Sequence, residues 1–369
     1  MVIPLITTPE KLPSAIAESV SAEEKEWIEK VKTRGLPFAV TSHFASLAGP
    51  DKSDPIRQQF MPSPLEEQRG AFALDDPLGE THYRITPRLI HQYSDRVLLL
   101  AGGTCAGFCR YCFRRVRMSS PASFITDDEL KPVLAWLKTR SGIREILVSG
   151  GDPLTARDGE IEELFIKLRE ARPGILIRLC SRVPVTCPER LSPDTITLLS
   201  RYQPLRIVTQ INHPRELGHP ANKPVSGMPT GGLQQAQTVL ALAAKAGIPV
   251  LVQTVLLRGV NDNAETLAAL FRDCVSLGLI PYYLFQLDLA PGTAHFMVPL
   301  KEGLSIYREL SRLLPGNSLP VYAVDLPGGG GKIHLCEEKI TGEEDSSGGR
   351  VYLLEDETGR LWKYPIGPN

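Results

Sequence analysis

The sequence predicts an α/β fold, a partial barrel of six parallel βα units with a helical N-terminal region and a small C-terminal extension. Two observations predict it. Six short runs rich in apolar and β-branched residues occur in order: VLLLA (97–101), EILVS (145–149), LIRLC (176–180), RIVTQI (206–211), PVLVQTVLL (249–257) and PYYLFQL (281–287). Between most of them lie stretches with helical spacing. Continuous apolar strands alternating with helices indicate a parallel sheet covered on both faces. Six units are too few for a complete eight-fold barrel, so an open or partial one fits better. A doubly wound sheet is the competing arrangement.

Each element has its own signal. Residues 21–35, SAEEKEWIEKVKTRG, read as a polar helix ending at a glycine. Residues 36–92 are rich in proline and turn formers and lack a period. Pattern alone leaves open whether they wrap the domain or link it. Inside the barrel, IEELFIKL places Ile161, Leu164, Phe165 and Leu168 on one helix face. LAALFRDCVSL does the same with Leu267, Leu270, Phe271 and Cys274. After the sixth strand come a helix near EGLSIYRELSRLL, a strand VYAVD (321–325) and a glycine run. The tail GRVYLLEDETGRLWKYP reads as a hairpin turning at 357–359. Three regions follow: 1–94, 95–290 and 291–369.

Composition narrows the function. The 41 basic and 42 acidic residues nearly cancel, so no single-sign field points to nucleic acid or an anionic membrane. No apolar run approaches the roughly 20 residues needed to span a bilayer. The opening MVIPLITTPEKLPSAIAESVS lacks the basic head and long apolar middle of a secretory signal. A cytoplasmic protein with reduced thiols is expected. The cysteine count, seven, is odd and fits poorly with a closed disulfide framework.

The chemistry starts at GGTCAGFCRYCFRR. Cys105, Cys109 and Cys112 are spaced C-x3-C-x2-C directly after the first strand. In parallel α/β folds, ligands gather at the carboxyl ends of strands. Three thiolates around a 4Fe–4S cube leave one iron open to a small molecule. Structural zinc with a distant fourth ligand, or loop cysteines without a role, are the other readings. SGGDPL (149–154) follows the second strand; its adjacent glycines allow close backbone approach, to a ligand or simply in a tight turn. PGGGGK (327–332) is not a phosphate loop, since Leu326 and Ile333 break the pattern. Asp288 and Asp325 each end a strand, as helix caps or as acids at the barrel mouth. Arg114 carries a planar guanidinium suited to a carboxylate.

The C-x3-C-x-aromatic-C loop, with Tyr111 as the aromatic, resembles the cluster loop of radical S-adenosylmethionine enzymes. DPIRQQF, DPLGE, YSDRVLLL, CRYCFRR, SGGDPL, SRVPV, NHP, LLRGVND, PYYLFQLD and DLPGGGGK follow in the order seen in the lysine 2,3-aminomutase family. The resemblance runs from about residue 36 to the C-terminus. It implies a barrel of the radical S-adenosylmethionine type, an isomerase activity, and three cofactors: a 4Fe–4S cluster, S-adenosylmethionine and pyridoxal phosphate.

The resemblance also implies roles. Cys105, Cys109 and Cys112 would ligate the cluster. Ser149, Gly150, Gly151 and Asp152 would meet S-adenosylmethionine, with Gln210 and Gln253 adding contacts from their strands; relatives often carry histidine at the Gln210 position. Lys332 takes the place of the Schiff-base lysine, whose amine exchanges with that of the substrate. Tyr93 and Arg96 match positions that hold the cofactor phosphate, while Gln92 stands where the lysine enzymes have arginine. Arg114 would bind the substrate α-carboxylate, and Asp288 and Asp325 its distant ammonium. A related glutamate enzyme has Lys and Asn in place of those acids, and a relative linked to elongation factor P lacks the second acid and the glycine run. The implied reaction moves the amino group of L-lysine from carbon 2 to carbon 3; another amino acid or a protein-bound lysine is the alternative. A flavodoxin or ferredoxin donor and a homo-oligomer are implied as well. The family's zinc site is not expected, because Asn263 replaces its loop cysteine and no cysteine follows Cys336. Cys180, Cys187, Cys274 and Cys336 read as structural. Arg110, Arg115 and Arg117 read as cluster-loop or surface charges.

Overall fold

The computed structural model describes residues 3–33, 35–118, 123–218 and 235–367. One open sheet of ten strands runs in sequence order. Its strands are β1 (Arg84–Thr86), β2 (Leu89–Tyr93), β3 (Arg96–Gly102), β4 (Glu145–Gly150) and β5 (Leu176–Cys180), then β6 (Leu205–Gln210), β7 (Val250–Val255), β8 (Ile280–Phe285), β9 (Val321–Leu326) and β10 (Gly331–His334). From β3 to β9 every neighbouring pair is parallel. Helices Asp127–Lys138, Asp158–Ala171, Pro193–Ser200, Gln235–Lys245, Ala264–Ser276 and Leu300–Leu313 follow β3 to β8 in turn. Six βα units are therefore present, and VYAVD adds a seventh parallel strand instead of standing apart. The segment from 291 onward shares the barrel's sheet through β9 and β10.

The helices bury the faces their spacing predicts. Ile161, Leu164, Phe165 and Leu168 are buried in one, and Leu267, Leu270, Phe271 and Cys274 in another. Asn263 accepts from the Thr266 amide at 2.8 Å, so it caps that second helix. Cys274 is core, and Cys187 is buried just after the short helix Val183–Thr186.

The region 36–92 is a wrap and not a linker. Ser21 forms a capping box with Glu24 at the start of the helix Ala22–Val31. That helix and its neighbours pack a second apolar core around Ile16, Ile28, Phe44, Ile56 and Phe60. Val40 bridges both Ile6 and Gly107, and the Arg110 amide donates to Gln59 O at 2.9 Å. The wrap thereby grips the cysteine loop. At the other terminus, β11 (Ile340–Ser346), β12 (Gly349–Glu355) and β13 (Leu361–Pro365) form a separate antiparallel sheet. The expected hairpin is β12–β13. Strand β11 was not foreseen, because ITGEEDS is too acidic to read as a strand. No described helix is long and apolar enough to cross a membrane.

Candidate active site

A cavity of about 680 Å³ runs along the inside of the sheet, from the cysteine loop down to Glu145, Arg178 and Arg206 near the strand starts. Every residue expected from the sequence to act lines it: Cys105, Cys109, Cys112, Arg114, Ser149, Gly150, Gly151, Asp152, Gln210, Gln253, Asp288, Asp325, Lys332, Tyr93 and Arg96. The parallel topology explains this convergence for all but Tyr93 and Arg96, where antiparallel β2 turns into the start of β3, and Lys332, on antiparallel β10. Successive strands deliver their carboxyl ends to one rim, whatever their separation in sequence.

The cysteine loop is held from below and outside. Burial raises the Cys105 thiol well above its ordinary range, and the charges of Asp152, Cys112 and Cys109 add to the rise. Burial likewise raises Cys112 to about 11, with Cys109 contributing. Cys105 and Cys112 thus both lie within reach of the charge on Cys109. Thiolates bind iron, so an electropositive centre is what such a trio requires to lose its protons. Among the described residues, no group of three such side chains converges tightly enough to hold a single metal ion. Three cysteine thiolates are the donor set that a 4Fe–4S cluster with one open iron takes, and the trio fits that group.

Of the two readings of Arg110 and Arg115, the structure favours cluster-loop charges over surface charges, since both are buried. Glu66, from the wrap, accepts from Arg110 Nε at 2.8 Å and from Arg115 Nη2 at 2.5 Å. Arg110 also donates to Pro37 O and Leu36 O, and Arg115 to Gly292 O. The two guanidiniums hold Glu66 ionised despite its burial.

The glycine pair of SGGDPL serves the chain first. Gly150 has φ +118°, and a Cβ there would strike Gly102 O; one on Gly151 would strike Thr104 O. The backbone of the motif packs directly on the start of the cysteine loop, where the Gly151 and Asp152 amides donate to Gly102 O and Thr104 O. The Asp152 carboxylate is fully engaged. Oδ1 accepts from Ser181 Oγ and Leu154 N, and Oδ2 from Arg182 N and Val183 N. It acts as a pin between strand ends, and its enclosure still pushes its pKa up.

At the opposite side, β9 and β10 are antiparallel and place Lys332 directly across from Asp325. Lys332 Nζ lies 2.6 Å from Asp325 Oδ2 and 3.9 Å from the centre of the Phe285 ring. The Lys332 amide donates to the Tyr93 hydroxyl at 3.0 Å. Arg96 stacks on Tyr93 at 4.0 Å. Gln92 Nε2 donates to Gly329 O at 3.2 Å, so the residue replacing arginine tethers the glycine turn. Within that turn, Gly330 has no room for a side chain, because Trp362 of β13 and Leu326 press on it. A lysine offered to a dry, aromatic-lined cavity beside a cation-bearing wall fits an aldehyde cofactor with an anionic tail.

Enclosure in the cavity pushes the Asp288 carboxyl up to about 8; the Asp325 charge adds to this, while Lys332 and Arg114 oppose it. Arg114 is held side-on by Glu80, through Nε at 3.1 Å and through Nη2. Its Nη1 faces Ser149 Oγ at 3.4 Å. Sequence reasoning missed Glu80, Arg178 and Arg182. Arg182 Nη1 donates to Cys109 Sγ at 2.9 Å, and Arg178 pairs with Glu145 at 2.6 Å. DPLGE and SRVPV were the available signals for Glu80 and Arg182, since both motifs flank the site.

This fold, with a three-cysteine loop at the mouth of a parallel sheet, defines a class. Residues 99–271 match the family model described as the radical SAM superfamily. The chain is 43% identical over 294 residues to a Treponema pallidum protein assigned as an L-lysine 2,3-aminomutase, covering 80% of this chain and 79% of that one. It is 34% identical over 314 residues to the L-lysine 2,3-aminomutase of Clostridium subterminale, covering 85% and 72%. It is 29% identical over 346 residues to the glutamate 2,3-aminomutase of Clostridioides difficile, covering 92% and 78%. The chain belongs to the lysine 2,3-aminomutase family of radical S-adenosylmethionine enzymes. It is an isomerase that uses a 4Fe–4S cluster, S-adenosylmethionine and pyridoxal phosphate.

Proposed function

We propose that the chain moves the 2-amino group of L-lysine to carbon 3, forming β-lysine. One observation carries the choice of substrate: Asp288 and Asp325 line the same cavity as Arg114, near enough for Asp288 to feel the charge of both. Two carboxylates attract a side-chain ammonium and repel the side-chain carboxylate of glutamate. Arg114 suits a free α-carboxylate, which a lysine inside a protein chain does not have.

In this reading Cys105, Cys109 and Cys112 hold three irons. Ser149, Gly150, Gly151, Gln210 and Gln253 line the space for S-adenosylmethionine, and Asp152 keeps that wall in place. Lys332 holds pyridoxal phosphate, with Tyr93 and Arg96 toward its phosphate. When bound, these groups supply a carbon radical that takes hydrogen from carbon 3 and a ring that delocalises the unpaired electron during nitrogen migration. The chain's own work is orientation and exclusion of water. Arg114 fixes one end of the substrate and the two acids fix the other. Asp325 Oδ2, which holds Lys332 Nζ, is the atom for which the substrate ammonium competes. Ammonium binding draws the proton off Asp288, converting a buried neutral acid into a paired charge. The family resemblance supports a flavodoxin or ferredoxin as donor, a homo-oligomer and a cytoplasmic location.

The test is an anaerobic assay. The protein is reconstituted with iron, sulfide and pyridoxal phosphate, then reduced with S-adenosylmethionine present, and offered lysine, glutamate and arginine separately. Lysine is expected to turn over. Turnover of glutamate or arginine without lysine overturns the assignment.

A further inference from the structure

Arg182 is built into the site more tightly than any residue the reaction has so far used. It lies two residues beyond β5, and its side chain is 10% exposed. Nη1 donates to Cys109 Sγ at 2.9 Å. Nη2 donates to Gln59 Oε1 and to Glu216 Oε2, the latter at 3.0 Å. The Phe44 and Tyr111 rings lie 4.8 Å and 5.6 Å from the guanidinium carbon. The Arg182 amide is tied to Asp152 Oδ2 at 2.7 Å. The amide, the two ring contacts and Nη2 are thus fixed by four other parts of the chain, Nε has no partner, and Nη1 points at a sulfur. The ion pair with Glu216 accounts for the burial of a cation. It does not account for the aim of Nη1.

We propose that Arg182 is a positioning residue for the iron–sulfur cluster: it holds Cys109 through a charge-assisted N–H···S bond and raises the cluster's reduction potential. The inference rests on the three-cysteine cluster reading. Reduction adds one electron, and its charge spreads over the cluster and its thiolates. A cation fixed against one of those sulfurs in a low-dielectric pocket favours the more negative state. Glu216 offsets part of this, but it binds the far nitrogen. The electron comes from the external donor; no bond breaks, and the guanidinium keeps its proton throughout.

The test uses anaerobically reconstituted full-length protein without S-adenosylmethionine, comparing wild type with Arg182→Gln and Arg182→Lys. Iron and sulfide content, the electron paramagnetic resonance spectrum of the reduced cluster and the midpoint potential are measured. At the poise where wild type is half reduced, the reduced-to-oxidised ratio of Arg182→Gln is expected to fall about tenfold, a shift of about 59 mV for one electron. Arg182→Lys keeps the charge but is too short to reach both Glu216 and Cys109, so its ratio falls less. A folded, fully loaded glutamine variant with the wild-type potential overturns the inference alone. Wild type that takes up no cluster on these cysteines overturns the cluster reading itself. Wild type carrying 15N-labelled arginine guanidinium needs no variant: pulsed resonance should show a nitrogen coupled to the reduced cluster, and its absence also overturns the proposal.

Discussion

At the cysteine end of the cavity, the carboxylates of Glu66, Asp152 and Glu216 are bound by fixed partners from the chain. At the lysine end, Asp325, Asp288 and Glu80 face groups that a ligand replaces or joins. Exposure follows the same division. Glu66 and Arg110 are 2% and 0% exposed, whereas Asp325 and Lys332 are 19% and 22% exposed. The first set is a frame: it is complete before any cofactor arrives. In the proposed function the second is a set of temporary pairs, in which Lys332 holds the place of the substrate ammonium. The difference matches the chemistry each end performs. A cluster must stay in one place while electrons come and go. An amino acid must enter, exchange its nitrogen partner and leave.

The comparison can be broken at either end. The largest effect is expected for Lys332→Ala, which abolishes turnover and the visible absorbance of chain-bound pyridoxal phosphate. The reduced-cluster resonance should stay as in wild type. Loss of the cluster in that variant would show that the two ends are not independent. Next comes Glu66→Gln, which leaves two buried guanidiniums without their anion. A loss of about 3–5 kcal/mol is expected from urea unfolding, with lower iron uptake at equal protein. Unchanged stability would remove Glu66 from the frame.

A smaller effect is expected for Glu80→Gln. The guanidinium of Arg114 then loses the charge that sets its plane, so KM for lysine should rise about tenfold, or about 1.4 kcal/mol, with kcat less affected. A fall in kcat at constant KM would contradict a placing role. The smallest effect concerns the cofactor-free protein. The folded state holds the Asp288 proton from the ordinary carboxylate range, near 3.9, up to about 8. Folded protein therefore binds more protons than unfolded chain across that window, and its stability falls as pH rises through it. Asp288→Asn has no such proton, so its gain in Tm over wild type should grow from pH 5 to pH 8. A gain independent of pH would deny the raised pKa.

Sequence and structure agree where the signal is local. The six strand runs each carry their pattern within a few residues, whereas the role expected of Lys332 came from the family resemblance and not from its glycine-rich surroundings. The helix faces at Ile161 to Leu168 and Leu267 to Cys274 were equally legible. What the sequence did not show depends on partners far along the chain. Glu66 meets Arg110 across 44 positions, and no spacing rule announces such a pair. For the same reason Arg110 and Arg115 could be read only as cluster-loop or surface charges, without a partner. The glycines of SGGDPL were legible as a close approach, but not that the cysteine loop approaches, and the press of Trp362 on PGGGGK was not legible at all. Strand β9 was legible as a strand, but its parallel pairing with β8 was not, because a helix and loops separate the two in sequence.

The account stands on both ends of the cavity serving one reaction on one carbon. Lysine deuterated at carbon 3, given to reduced, fully reconstituted protein with unlabelled S-adenosylmethionine, tests this most directly. Deuterium is predicted in the 5′-methyl group of the deoxyadenosine obtained on quenching during turnover and in the recovered β-lysine. Cleavage of S-adenosylmethionine with no label in the deoxyadenosine would contradict it.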